Sequence, residues 1–200
     1  WRRSKYIIPI FLVLSIMTYW LDLQYHFNFL PEIYGGVALL LALKSFSEKK
    51  SVYQAFSLVV FNHFFIALAV FFNEHMTYIE MLIYVSGVLI AGMIGIFALN
   101  YMKRNHEKLN LKRFHGHSYE YPMISIIFLL ACLGLTGFPI SPTFLGEDLI
   151  FSHIHDNQFI LATLVAISFV IDGLSLIRQY AKLFLGPHSK TYHEIAYRNS

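Results

Sequence analysis

The stretch GLTGFPISPTFLGED, residues 134–148, places glycines and prolines inside an otherwise apolar segment. Ser141 and Pro142 have the sequence of an N-cap followed by the first position of a new half-helix. Glu147 and Asp148 follow within two helical turns of that start. The stretch therefore predicts a helix that breaks and restarts, with carboxylates just beyond the break. Continuous helical hydrogen bonding is prevented by four residues: Gly134, Gly137, Pro139 and Pro142.

The composition around this stretch is that of a membrane protein. Of the 200 residues, 56% are hydrophobic, 17% are aromatic and 14% are charged. The apolar residues form long runs, whereas soluble helices show amphipathic stripes. A membrane-spanning helix needs about 20 mostly apolar residues. We therefore predict an all-α, polytopic transmembrane bundle of about six passes, at these positions: Tyr6–Leu23, Leu30–Phe46, Val52–Phe72, Ile79–Met102, Tyr121–Ser152 and Phe159–Leu185.

Charges between the predicted passes alternate in sign. Basic residues precede the first pass, follow the second and fill the loop after the fourth, while acidic residues occupy the remaining connections. By the positive-inside rule, both chain ends are predicted to be cytoplasmic, in a cell inner (plasma) membrane. The far side of residues 121–152 carries Asp156 and no Lys or Arg, so we count the broken segment as one interrupted pass. The basic residues behind the net charge of +3 lie in these loops, where the membrane topology already explains them. We therefore predict no nucleic-acid partner.

Glu147 is the leading candidate for a protonatable site. Backbone groups freed at a break cannot face lipid, so they must line a cavity or be satisfied by protein. Transporters place binding and proton sites at such discontinuous helices. The positive N-terminal end of the half-helix also partly offsets a nearby negative charge. The alternative is a structural kink with a solvated carboxylate.

Asp172 is the second candidate, because it falls at the centre of the last predicted helix. Ser168, Asp172, Ser175 and Gln179 share one helical face, which must look into protein or water. A carboxylate at mid-membrane is either neutral or paired, and such groups commonly carry function. The alternative is a fixed ion pair with Arg178 or with a lysine of another helix.

Three further residues are weaker candidates for proton translocation. Asp148 follows Glu147 directly. His63 lies near mid-membrane beside Asn62, where a relay role competes with a plain interhelical hydrogen bond. Lys44 stands at a helix end, from which its side chain could simply extend to the membrane surface.

The broken segment resembles the interrupted helix of the antiporter-like subunits of respiratory complex I. Tyr121-Pro122 leads into an apolar run, and Phe-Leu-Gly-Glu147 is most similar to the M-type subunit of that family. The Phe184-Leu-Gly186 ending, the basic loop 103–120 and the segment 48–57 resemble corresponding family segments. The group also includes L- and N-type subunits and Mrp-type antiporters.

This resemblance implies that residues 1–200 form a single transmembrane domain, the C-terminal half of a longer proton-conducting subunit. Glu147 would match the glutamate that ends the half-channel to the outer side. Asp172 has no precedent in the resemblance. The family usually places a channel histidine where this chain has Ser86 and Gly87. The implied partners are other membrane subunits, the lipid bilayer, and protons or cations.

Several alternatives remain open. Related complexes include hydrogenases and the membrane subunit of a bicarbonate uptake complex. A different class is a desaturase-like membrane metalloenzyme, suggested by ten histidines that include His115-Gly-His117 and His153-Ile-His155. These pairs fall on opposite predicted sides of the membrane, and their spacing is unlike that of histidine-box enzymes. A third alternative is a structural scaffold without transport.

The sequence contains no motif for redox chemistry. It has no nucleotide-binding loop, flavin motif, haem-attachment pattern or cysteine cluster, since Cys132 is the one cysteine. We therefore expect no cofactor and no metal, and we expect the driving reaction to belong to another chain. On its own, the chain is not expected to be an enzyme. We read Gly87, Ala91 and Gly95 as a smooth stripe for helix packing.

Overall fold

The computed structural model describes residues 29–71, 76–105 and 109–187, together with four helical residues, Val13, Ile16, Met17 and Trp20. The rest of the first predicted pass, Tyr6–Leu23, lies outside the described residues. The chain divides into two compact units, Trp1–Leu30 and Pro31–Ser200, and the second contains the bundle of helices. One membrane domain over residues 1–200 stays a prediction.

The described ranges are helical and contain no strand, which confirms the predicted fold class. The second to sixth predicted passes match the helices closely, and the fifth is divided into two helices at the glycines and prolines, as expected. The helices are α1 (Leu30–Ser47), α2 (Val52–Phe71), α3 (Tyr78–Asn105), α4 (Pro122–Leu135), α5 (Pro142–Ser152) and α6 (Phe159–Phe184).

Three of these helices are long and apolar enough to cross a bilayer, namely α2, α3 and α6. Helix α1 has 18 residues, with Glu32 in its first turn and Lys44 in its last, and is not one of the three. Helices α4 and α5 have 14 and 11 residues and are individually short for a crossing. Six passes therefore stay a prediction, of which the structure supports three directly.

Helix α3 lies at the centre of the unit and packs against α2, α4 and α5. Helix α6 packs against α2 and α4. Aromatic side chains fill the space between these helices. The ring of Phe128 in α4 packs between those of Phe56 and Phe184, at centroid distances of 5.5 and 5.6 Å. Aromatic rings of α2, α4 and α6 thus meet in the core.

The small-residue stripe on α3 is a close-packing surface, as predicted. A Cβ on Gly87 would come within 2.6 Å of the backbone nitrogen of Thr143, at the start of α5. The Cβ of Ala91 lies 3.0 Å from the position that a Cβ on Gly134 would take. Gly95 is covered by the ring of Phe56. Because this face of α3 carries small residues, the start of α5 and the ring of Phe56 pack directly against the α3 backbone.

Large apolar side chains also point outward from the bundle. In a soluble protein such a surface would be an aggregation hazard, whereas in a bilayer it faces lipid. Ile140, inside the break, is 88% exposed. Together with the long apolar helices, this surface supports a membrane bundle. Other exposed members include Leu40, Ile79, Leu82, Met93, Phe97, Leu130, Phe159, Val170 and Ile177.

A loop closes the C-terminal end of α6. The last carbonyls of a helix have no intrahelical partner. Here four successive backbone N–H groups of residues 115–118 donate to the carbonyl oxygens of residues 182–185, at 2.9 to 3.2 Å. The Lys182 ammonium also lies 3.8 Å from the centre of the Phe114 ring. The basic loop thus anchors the helix that carries Asp172.

Candidate functional site

The break between α4 and α5 is an ordered turn. The Phe138 N–H donates to the Leu133 carbonyl at 3.1 Å, and the Ser141 N–H donates to the Phe138 carbonyl at 2.7 Å. The Thr143 hydroxyl donates to the carbonyl oxygen of Gly134 and so joins the two half-helices. The freed backbone groups are therefore partly satisfied within the protein, as membrane burial requires.

Ser141 occupies the N-cap position, and Pro142 begins α5, as predicted. The side chain of Ser141 does not cap the helix, however. Its hydroxyl donates to the Phe138 carbonyl at 2.7 Å, and its oxygen lies 2.7 Å from the Thr143 hydroxyl oxygen. The expected capping bond is therefore replaced by bonds that hold the turn together.

Gly137 lies against the carboxylate of Glu147. Its φ is +64°, a left-handed conformation that side chains rarely adopt. A Cβ at this position would fall 2.6 Å from Glu147 Cδ and 2.9 Å from Glu147 Oε1. The absence of a side chain at Gly137 thus leaves the space that the carboxylate occupies. Pro139 lies in the same turn.

Asp172 lies on a face of α6 that is buried in protein. Ser168, Asp172, Ser175 and Gln179 are each no more than 1% exposed. The expectation that this face avoids lipid is confirmed. Toward the C-terminal end of α6, Ser175 hydrogen-bonds to Ser45 of α1 at 2.6 Å and accepts from Gln179 at 3.1 Å.

The partners of Asp172 come from α2. The Asn62 amide donates to Asp172 Oδ2. His63 Nε2 lies 3.8 Å from the same oxygen, which is within ion-pair range but too long for a hydrogen bond. His63 is 1% exposed, and its Nδ1 lies 2.8 Å from the hydroxyl of Tyr84 on α3. A polar row therefore runs from α6 through α2 to α3.

Tyr84 connects this row to the half-helix α5. A Cβ on Gly146 would lie 2.7 Å from both Cα and Cβ of Tyr84, so the backbones of α3 and α5 touch here. Glu147 is the residue that follows this contact in α5. The polar row and the half-helix that carries Glu147 thus meet at Tyr84, and we call these side chains the central polar cluster: Asn62, His63, Tyr84, Glu147 and Asp172.

Several atoms of the central polar cluster are buried without a hydrogen-bond partner among the described residues. They are Asn62 Oδ1, His63 Nε2, Glu147 Oε1 and Asp172 Oδ1. Buried polar atoms are normally satisfied, and those that are not often mark a functional position or a bound water. Each of these atoms can accept a hydrogen bond, so the cluster is suited to receive a proton.

Arg178 is not the partner of Asp172, so that alternative is wrong. Its guanidinium donates to the carbonyl oxygens of Ser45 and Glu48, at 3.1 and 2.7 Å. It also stacks over Phe46, 5.4 Å from the ring centre. Arg178 thus closes the C-terminal end of α1, where a cation is favourable. Among the described residues, His63 is the one potential cation within ion-pair range of Asp172.

Two weaker candidates lie apart from the central polar cluster. The Lys44 ammonium, 58% exposed, is 3.8 Å from Glu48 at the end of α1. Asp148 follows Glu147 in α5, but its side chain is exposed. Proton-translocating roles for these residues stay predictions. Among the weaker candidates, the structure brings His63 to the main site.

The two histidine pairs stand at opposite ends of α6. His115 and His117 stack at 5.2 Å beside its C-terminal end, and His153 and His155 precede its N-terminal end. The 26 residues of α6 extend about 39 Å at 1.5 Å per residue. Within the described ranges, no group of three or more His, Cys, Asp and Glu side chains could hold a metal ion.

Tyr84 was missed by the sequence analysis. It is the one tyrosine between residues 79 and 100, a position deep in an apolar helix where its hydroxyl needs a partner. This isolated hydroxyl could have identified Tyr84 as a candidate from the sequence. The partner itself, His63, could not be identified from the sequence.

The chain is similar to subunits of known membrane complexes. The family model described as NADH:quinone oxidoreductase/Mrp antiporter, TM, matches residues 9–172, which include Glu147 and end at Asp172. NADH-quinone oxidoreductase subunit N of Blochmanniella floridana is 28% identical over 95 residues, 46% of this chain and 19% of that protein. The subunit N of Flavobacterium johnsoniae is 28% identical over 116 residues, 57% of this chain and 24% of that protein. The matches thus span a quarter or less of these relatives.

Proposed function

This chain belongs to the NADH:quinone oxidoreductase/Mrp antiporter transmembrane family, and on that premise we propose that it translocates protons or another cation as one subunit of a larger membrane complex. Glu147 is the carboxylate that changes protonation state during transport. Asp172 is a second protonatable site. The sequence resemblance led to the same family. Within that family, the sequence at the break is most similar to the M-type subunit.

The observation that carries this proposal is the presence of two carboxylates, with the half-buried Glu147 against the turn of the broken helix and Asp172 on the buried face of α6. A buried carboxylate is costly unless it is neutralised, and its charge state then depends strongly on its neighbours. Asp172 has an amide and an imidazole as neighbours in place of a lysine or arginine. Such a site can load and release a proton without breaking a permanent ion pair.

The break supports the proposal through the position of Glu147. This residue is half-buried, and its Oε1 lacks a described hydrogen-bond partner. It lies against Gly137, inside a turn whose backbone departs from helical geometry. Discontinuous helices of this kind supply ion sites in transporters. A change in the shape of the turn would therefore change the surroundings of the Glu147 carboxylate.

The driving reaction lies in another subunit. Two relatives are named as subunits of an NADH-quinone oxidoreductase, so we propose that this chain is a non-catalytic, proton-pumping member of a complex of that kind. The basic loops favour an inner-membrane orientation with both chain ends in the cytoplasm. Co-purification of other membrane subunits with the full-length protein would support this assignment.

The experiment replaces Glu147 by glutamine, which keeps the shape of the side chain and removes its titratable proton. Inverted membrane vesicles from the host carry the variant, NADH drives the complex, and a pH-sensitive dye reports acidification per assembled complex. Loss of a proton-transfer group lowers rates by about 10²- to 10⁴-fold in enzymes, and we expect a loss of at least roughly tenfold. Asp156→Asn is the matched control, because Asp156 is an exposed carboxylate outside the cluster.

Two outcomes are informative. Normal assembly with strongly reduced acidification in Glu147→Gln, and normal acidification in Asp156→Asn, supports the proposal. Full acidification by an assembled Glu147→Gln complex contradicts it. In that case a structural role for the subunit would be preferred.

A further inference from the structure

We propose that Tyr84, acting with His63, is the link that passes protons between Asp172 and Glu147. This inference rests on the proposed function, because it assumes that both carboxylates exchange protons. It adds a residue that neither the sequence motifs nor the family resemblance assigned. It also makes Asp172 and Glu147 successive sites on a single proton path.

The geometry of the link begins with three helices that meet at one point. His63 of α2 faces Asp172 of α6 with one ring nitrogen, Nε2, at 3.8 Å. It faces Tyr84 of α3 with the other, Nδ1, at 2.8 Å. An imidazole that contacts a different protonatable group at each nitrogen can accept a proton on one side and release one on the other. The gap of 3.8 Å must shorten to hydrogen-bond distance before the proton can pass.

The second half of the link is the phenol of Tyr84. The residue is fully buried, and its backbone touches Gly146, the neighbour of Glu147. A tyrosine hydroxyl both donates and accepts a hydrogen bond. It can therefore accept from His63 while it donates toward Glu147.

The proton transfer balances without any additional reactant. Before transfer, the Asp172 carboxyl group is protonated, His63 carries its hydrogen on Nδ1, and Glu147 is ionised. The Asp172 proton moves to His63 Nε2, the Nδ1 proton moves to the Tyr84 oxygen, and the original Tyr84 proton moves to Glu147. Asp172 is then ionised, Glu147 is protonated, and His63 and Tyr84 are again neutral.

The unpartnered atoms stand at the two ends of this link. His63 Nε2 and Asp172 Oδ1 are buried without described partners at one end, and Glu147 Oε1 is unpartnered at the other. A purely structural hydrogen bond between His63 and Tyr84 would not account for open acceptors at both ends. After each transfer, the imidazole and the phenol must reorient before the next proton can pass. The link therefore passes one proton for each reorientation of the two side chains.

The test removes the Tyr84 hydroxyl alone, with Tyr84→Phe in the assembled complex of host membrane vesicles. NADH-driven acidification per assembled complex is expected to fall by roughly tenfold or more, because one proton-transfer group is lost. The matched control is Tyr53→Phe. Tyr53 joins the same two helices through a hydroxyl bond of 2.9 Å to Asn100, outside the central polar cluster. That variant should keep its rate.

A second pair of variants distinguishes a link from a structural bond. His63→Gln retains a polar side chain but cannot receive a proton at one end and release one at the other. If His63 and Tyr84 serve one path, the double variant should be no slower than either single variant, since residues that act as a unit are non-additive. A multiplied loss in the double variant would contradict the single path.

The outcomes separate this link from the proposed function. If Glu147→Gln stops acidification while Tyr84→Phe retains the full rate, the link is overturned and the proposed function stands. If Glu147→Gln retains the full rate, the proposed function falls, and the link falls with it. If Tyr84→Phe does not assemble, His63→Gln decides the question: a full rate overturns the link, and a large loss per assembled complex supports it.

Discussion

Gly137→Ala tests whether the turn itself holds Glu147 in place. Alanine in the left-handed conformation costs about 1 to 2 kcal/mol, and Gly137 has a φ of +64°. The new Cβ would also lie 2.6 Å from Glu147 Cδ, so the carboxylate must move. An off-rotamer side chain costs about 0.5 to 1.5 kcal/mol.

These two costs add to about 1.5 to 3.5 kcal/mol against the native turn. At 1.4 kcal/mol for each factor of ten, the native arrangement becomes roughly 10- to 300-fold less favoured. We therefore expect acidification per assembled complex to fall by at least roughly tenfold. Thermal unfolding of the purified complex should show the same loss as a lower midpoint.

Two comparison variants isolate the cause. Gly173→Ala introduces the same methyl group on α6, where its nearest neighbour is Thr136 Cγ2 at 3.8 Å, and it should keep the rate. Gly137→Asn tolerates the left-handed backbone better but still overlaps Glu147. A full rate in Gly137→Ala would refute the claim that this turn positions the carboxylate. A full rate in Gly137→Asn alone would assign the effect to backbone strain.

Asn62→Leu removes the amide that donates to Asp172, and leaving that buried carboxylate oxygen unpaired should cost about 1 to 3 kcal/mol in thermal stability. The double variant with Asp172→Leu should recover most of that loss, and a double variant that is less stable still would contradict the pairing. Gly87→Val forces side-chain atoms toward the backbone nitrogen of Thr143 and should destabilise assembly by about 1 to 3 kcal/mol. Gly36→Ala, whose new Cβ would have no neighbour within 4 Å, serves as its control, and equal assembly of both variants would count against close packing of α3 on α5.

Helix boundaries and the break followed from the sequence for a simple physical reason. In an apolar background, the glycines and prolines of the turn stand out, and a spanning helix has a length fixed by the bilayer. The inward direction of Asp172 followed from the spacing of its polar neighbours along α6. These are local features, and the sequence contains them in full.

Contacts between helices could not be predicted in the same way. Asn62 and Asp172 are separated by 110 positions, and their contact depends on how α2 and α6 rotate against each other. An apolar helix gives little information about which face meets which partner, because lipid and protein are equally apolar. The partner of Tyr84, His63, could not be identified for this reason.

Arg178 and Ser141 show how a plausible local partner can be wrong. Arg178 is six residues from Asp172, about 240° around the helix, so the two side chains leave α6 in different directions. Ser141 has the position of an N-cap, but its hydroxyl donates to the Phe138 carbonyl and accepts no hydrogen bond from a backbone N–H of α5. In both cases the side chain donates to a backbone carbonyl oxygen, and a sequence motif does not specify where that oxygen lies.

The central claim is that Glu147 gains and loses a proton during turnover. The most direct measurement is the infrared difference spectrum of the assembled complex between its resting state and NADH-driven turnover, in the band of the protonated carboxyl C=O stretch. The account predicts a difference band that disappears in Glu147→Gln and persists in Asp156→Asn. An unchanged band in the Glu147→Gln complex would contradict it.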